Sequence, residues 1–96
     1  MTVKLIRMST GEDVVATVVN DHERDTIHIK DAIVAVPAGG NQLAFAPWSP
    51  ILKKDVEHIK VYRRFVMYIS EVDESVLSQY NTLFNKVIVP EKKLVL

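Results

Sequence analysis

Ninety-six residues allow one domain with a modest core. Hydrophobic side chains make up 48% and charged ones 25%, the balance of a globular protein. Twelve basic side chains cancel twelve acidic ones, so overall charge lends no support to nucleic-acid binding, and the lack of cysteine excludes disulfides, thiolate zinc sites and a cysteine nucleophile.

The chain opens into VKLIRM without a basic leader, a long apolar run or a small-residue cleavage site, so no signal peptide is expected. No apolar segment has the length to span a bilayer, and no membrane partner is expected. VKLIRM, VVATVV and TIHIKDAIVAV are rich in β-branched residues and are divided by STGED and NDHERD. Branched side chains pack well on a pleated surface, and Ser, Gly, Asn and Asp mark turns; three such runs predict an antiparallel meander. Gly11 is placed in the first turn, at a position requiring positive φ. PAGGNQ, residues 37–42, is the clearest loop, and LAFA after it predicts a fourth strand. Pro47 and Pro50 cannot donate to a ladder, so that strand is an edge, is bulged or ends there.

HIKVYRRFVMYISEV then alternates over an unusual length. Ile59, Val61, Phe65, Met67 and Ile69 form an apolar face broken by Arg63, while Lys60, Tyr62, Arg64, Tyr68 and Ser70 form the polar one. A long, bent fifth strand is expected. Periodicity next changes: Val76, Leu77, Tyr80, Leu83, Phe84 and Val87 share one helical stripe, with Asp73 as N-cap, Glu74 in the first turn and Lys86 near the end. The segment VIVPEKKLVL is apolar at both ends and is expected to pack on its own domain or on a neighbouring subunit. The expected architecture is a single domain over 1–96, with an all-β barrel over about 1–72, a helix over about 73–87 and a tail over 88–96.

Charge is locally uneven. LKKDVEHIKVYRR, residues 52–64, holds five Lys or Arg against two acids. Lys53, Lys54, Lys60, Arg63 and Arg64 are candidate phosphate contacts, and Tyr62, Tyr68, Phe45 or Trp48 candidate stacking partners for unpaired bases. The same charges equally suit a solvated face, and the same aromatics core packing. His22, His28 and His58 are too scattered for a metal motif, and alternation with Ile27 and Ile29 makes His28 a surface strand residue. Asp21, Glu23 and Asp25 crowd one turn without the spacing or glycine of a calcium loop and are expected at a solvated hairpin tip. No nucleophile elbow, phosphate-cradling loop or dinucleotide fingerprint is present, so no catalytic residue, cofactor or metal is assigned and the protein is not expected to be an enzyme.

The opening segment resembles the Sm/LSm family, which includes bacterial Hfq. Gly11 matches the first glycine of the family's first motif, and Ala16 and Val18 stand where its second glycine and leucine belong. Ile29, Asp31 and Ala32 fall in register with its closing Leu-x-Asp-Ala group. In that register the turn's Asp falls on His22 and its Met-Asn pair on Asp25 and Thr26. Tyr62-Arg63-Arg64 stands at the second motif's Ile-Arg-Gly turn, with the glycine missing. The whole chain, with LAFAPWSP and SQYNTLF, is similar to small Sm-like proteins of marine cyanobacterial phages.

The resemblance implies a small, strongly bent five-stranded antiparallel barrel, here followed by one C-terminal helix, that assembles as a homo-oligomeric ring of five to seven subunits. It implies non-catalytic binding of RNA or single-stranded DNA, in RNA or DNA processing, in the cytoplasm of a bacterial host. His22, Lys53, Lys54, Lys60, Tyr62, Arg63 and Arg64 are the expected nucleic-acid contacts. The alternative is an oligomeric protein-interaction or assembly module that binds no nucleic acid.

Overall fold

The computed structural model describes residues 2–53 and 55–84. In chain order the elements are β1 (Thr2–Met8), β2 (Asp13–Asn20), β3 (Thr26–Pro37), β4 (Leu43–Pro47), β5 (Ile59–Tyr62), a 3-10 turn at Arg63–Phe65, β6 (Val66–Ser70) and α1 (Glu74–Leu83). All strands belong to one antiparallel sheet in the order β4-β3-β2-β1-β6, with β5 on β3 as well. The bent, mostly β sheet with a C-terminal helix is as the sequence predicts. Lys54, the end of the predicted helix and the tail lie outside the described residues.

β3 organises the sheet. Its second half pairs with β4, from Ile33 opposite Pro47 to Pro37 opposite Leu43. Along the same edge its first half pairs with β5, Thr26 opposite Tyr62 and Ile29 opposite Ile59. The two halves are set apart by a bulge: Val15 pairs with Ile33 but Thr17 with Lys30, so three steps along β3 answer two along β2. An extra residue of this kind bends its strand and sharpens the twist. Asp31 lies inside it at φ 52°, a left-handed conformation that Asp tolerates better than most residues. Since β5 joins β3, β6 joins β1, and only three residues separate β5 from β6, the sheet is brought round on itself through the covalent chain.

Both faces of the sheet are covered, which is why the first strands read as nearly continuous apolar runs. Inside the bend, Ile6, Met8, Val14, Ala16, Ile27, Ile29 and Val61 form the main core, with Trp48 and Val66 packed on it. On the other face Val15, Ile33 and Tyr80 form a second cluster with Val3, Leu5, Phe45, Val76 and Phe84. Helix α1 supplies the last of these contacts. It starts at Asp73, whose carboxylate accepts from the Ser75 backbone N–H at 3.1 Å, as expected of the N-cap. The Ser75 hydroxyl donates to the same carboxylate, and this bond first, then the backbone one, holds the Asp73 carboxyl below its ordinary value. Its central residue, Tyr80, is wholly buried, and its hydroxyl lies 2.9 Å from Thr17 Oγ1 and 2.9 Å from the Asp31 carbonyl. The helix is thereby pinned to the bulge.

The long fifth strand of the sequence reading is divided. Arg63–Phe65 forms a 3-10 turn, so the strands number six among the described residues. The turn also upsets the alternation: Val66 is half-buried while Phe65, Met67 and Ile69 are 47%, 65% and 39% exposed. The expected apolar face therefore holds only over Ile59 and Val61. Leu83 likewise departs from the helical stripe and is 59% exposed.

Gly11 closes the β1–β2 hairpin at φ 96°, where a Cβ would meet no neighbour but the backbone conformation itself is strained. Gly11→Val is expected to lower unfolding free energy by about 1–2 kcal/mol, read by denaturant titration. Burial pushes the Tyr80 hydroxyl from 10.0 up to about 12. A folded value above the unfolded one means stability that is whole below pH 10 and lost as pH rises through 12. Alkaline unfolding should fall in that window. Tyr80→Phe should remove this pH dependence and cost about 1–3 kcal/mol at neutral pH, since Thr17 loses a buried partner.

Candidate nucleic-acid interface

The β3–β5 pairing sets Thr26 beside Tyr62 and His28 beside Lys60, all on the face away from the main core. The residues 21–25 that join β2 to β3 are exposed and fold back against the 3-10 turn. Arg63 makes that contact. Its backbone N–H donates to the Asp25 carbonyl at 2.9 Å. Its Nε donates to the Glu23 carbonyl at 3.1 Å, and its Nη2 to the Asp21 carbonyl at 2.6 Å. One arginine thus bridges two segments some forty residues apart. The planar fork of the guanidinium suits it to span two carbonyls, which a lysine's single ammonium does less well.

The loop is also tied from within. Asn20 Oδ1 accepts from the His22 backbone N–H at 2.8 Å, and Thr26 Oγ1 donates to Glu23 Oε1 at 2.6 Å. The second Glu23 oxygen lies 3.3 Å from His28 Nε2, off the line of a good hydrogen bond. The Thr26 hydroxyl, then His28, hold the Glu23 carboxyl below its ordinary value. His28 is only 9% exposed and stacks on His58, ring centroids 5.2 Å apart. This corrects its expected place on an open strand surface: the neighbouring strand and the folded loop cover a position that alternation alone sends to solvent.

Lys60, Tyr62 and Arg64 remain exposed beside this loop. The Arg64 guanidinium lies over the rings of Tyr62 and Phe65, 5.2 and 5.0 Å from their centroids, which holds a cation above two aromatic faces. Of the expected contacts, Lys60, Tyr62, Arg63 and Arg64 are therefore brought together, and His22 lies in the loop that Arg63 holds. Lys53 is not part of this group. It sits on the connection between β4 and β5, its ammonium 3.6 Å from Asp55, and Lys54 lies outside the described residues. Phe45 packs in the second cluster, and Trp48 packs on the main core with its Nε1 donating to Glu12 at 3.2 Å. Both serve packing.

Glu23, Thr26, His28 and His58 were not among the expected site residues. The i, i+3 spacing of Glu23 and Thr26 was their one visible signal. No group of His, Asp or Glu among the described residues is placed to hold a metal ion, and no described helix is long and apolar enough to cross a membrane. The chain matches no protein-family model, and no curated protein matches it significantly.

Replacing Thr26 by Val removes the largest cause of the lowered Glu23 value. The Glu23 carboxyl carbon, followed by NMR, should then titrate closer to the ordinary 4.5. In the unmodified chain the folded value lies below the unfolded one. The carboxylate's hold on the loop is therefore present above about pH 4.5 and lost as pH falls through the lower folded value.

Proposed function

We propose that the chain is an Sm-like protein that binds RNA or single-stranded DNA without catalysis, as a homo-oligomeric ring. The observation that carries this reading is the joining of the 21–25 loop to the Arg63–Phe65 turn by the Arg63 guanidinium, with Lys60, Tyr62 and Arg64 exposed beside the joint. These are the two turns at which the resemblance puts nucleic-acid contacts. Arg63 acts as a positioning residue, because its guanidinium donates to the loop carbonyls. Phosphate contact falls to Lys60 and Arg64, and base stacking to Tyr62.

Assembly is supported by the edges. Among the described residues β4 pairs with β3 alone and β6 with β1 alone, so each offers an edge to a further strand. The exposed apolar side chains Leu43, Met67 and Ile69 lie on these strands. Pairing of β4 with the β6 of a neighbouring copy covers both edges, and head-to-tail repetition closes a pentamer to heptamer. A modest patch repeated around such a ring gains avidity on one strand of nucleic acid. The ring reading is tested by light scattering after size exclusion at micromolar protein. A closed oligomer of five to seven copies is expected, and a monomer that persists on concentration contradicts it.

A second reading, an assembly module without nucleic acid, is favoured by the zero net charge and by Asp21, Glu23 and Asp25 at the same loop. Salt dependence separates the two. Affinity for a single-stranded oligonucleotide should fall with salt at a log–log slope of roughly −0.7 per phosphate neutralised. Lys60→Ala with Arg64→Ala should flatten that slope by about 1.4 per subunit engaged. Tyr62→Ala should cost about 1–3 kcal/mol per stacked base with little change of slope. Affinity and slope unchanged in the double variant would leave the assembly module as the better account.

A further inference from the structure

His28 sits between its two partner strands, β2 and β5, and is buried there. Among the described residues its Nε2 is the one buried side-chain nitrogen or oxygen without a hydrogen-bond partner. A buried polar atom left unpaired is unfavourable, and its persistence calls for a physical reason.

The neighbours of that atom favour a positive charge on it. Glu23 Oε2 lies 3.3 Å away, while Oε1 accepts from Thr26 Oγ1 at 2.6 Å, so the carboxylate is held facing the ring. A neutral imidazole gains little from this placement. With its proton on Nδ1, a lone pair faces the carboxylate; with it on Nε2, the N–H points off the line. An imidazolium gains more, because attraction between whole charges depends on distance rather than alignment.

The remaining groups decide where a proton settles. From β2 the paired residue is Asn20, which is neutral. From β5 it is Lys60, a like charge, but Lys60 is exposed and solvent weakens its repulsion. The 3-10 turn adds the Arg63 guanidinium, already bonded to the Glu23 and Asp21 carbonyls. The loop's other acids, Asp21 and Asp25, are exposed and offset these cations. His58 stacks on His28 with ring centroids 5.2 Å apart. Two imidazolium rings so placed repel, so the pair takes up one proton before a second. His28 is the member that faces Glu23.

We propose that His28 is a proton-operated clamp on the 21–25 loop: a proton on its ring ties the loop, through Glu23, to the β3–β5 ladder, and loss of that proton loosens it. Histidine is the side chain that changes charge between about pH 5 and 8. Glu23, held below its ordinary 4.5 first by the Thr26 hydroxyl, stays ionised across that range. The attached loop favours the protonated ring, so the clamp is closed on the acid side of the range and opens as pH rises through it. The proposal does not depend on nucleic-acid binding.

The Arg63 amide, bonded to the Asp25 carbonyl, reports the hold on the loop. In the full chain its protection from hydrogen exchange, relative to an unstructured chain at each pH, should rise about threefold or more between about pH 7.5 and 5.5. Core amides such as that of Val15 should keep theirs. The His28 ring nitrogens, followed by NMR, should pass to imidazolium shifts over the same interval. Glu23→Gln should abolish the rise, and His58→Phe, which keeps a ring in the stack, should preserve it. Should a variant fail to fold, the unmodified chain still decides, because its His28 shifts and Arg63 protection must move together. Flat protection there, or a rise that survives Glu23→Gln, would overturn the proposal. A rise accompanied by imidazolium shifts at His58 alone would assign the proton to that ring and overturn it as well.

Discussion

The rest of the structure depends on the bend of β3 at Asp31. The strand serves β4 along its second half and β5 along its first, and the bend turns these two halves in different directions. The bulge opposite β2 and the left-handed Asp31 provide that change of direction. The cost of the unusual conformation is met locally, because the Tyr80 hydroxyl bonds to the Asp31 carbonyl and to Thr17 in a dry setting. The helix and the bend therefore support one another. A straight β3 would part Asp31 from the Tyr80 hydroxyl and so loosen the helix from the sheet.

The same bend explains how so small a chain covers two sheet faces. Curling puts one face of β1, β2, β3 and β5 inside, while α1 lies over the other. The strands at the ends of the sheet gain least from this arrangement. Among the described residues β4 and β6 each have a partner on one side only, with apolar side chains beside the other edge, and monomeric proteins usually blunt such edges with charge or proline. Here Pro47 blunts only the end of β4. In the proposed ring, self-association would cover both edges and set copies of the candidate interface at regular intervals.

Much of the fold was legible in the residues. Gly11 marked the first hairpin and Asp73 the start of the helix, because each is a local device whose chemistry is visible without the rest of the chain. Asp31, which the family resemblance placed in register with a motif aspartate, is the residue at the bend, although no local pattern showed its backbone conformation. The break between β5 and β6 had one trace, the cationic Arg63 on an apolar face. The alternation around it was regular enough to suggest a continuous strand. That arginine leaves the alternation to bind carbonyls of a loop distant in sequence, a tertiary demand that periodicity cannot carry. His28 escaped for a related reason: its cover comes from Glu23 and His58, both outside its own strand. Lys53 shared a charge run with Lys60 but not a face, since a charge run records sequence neighbours and the loop carries Lys53 elsewhere.

The proposed function requires that the Arg63 joint build a face for unpaired nucleic acid. Backbone amide shifts of the isotopically labelled full chain, recorded while a short single-stranded oligonucleotide is added, test it most directly. The perturbed amides should gather at residues 21–25 and 60–65, with β4 and the exposed side of α1 unmoved. Perturbations confined to other surfaces, or none at saturating oligonucleotide, would contradict it.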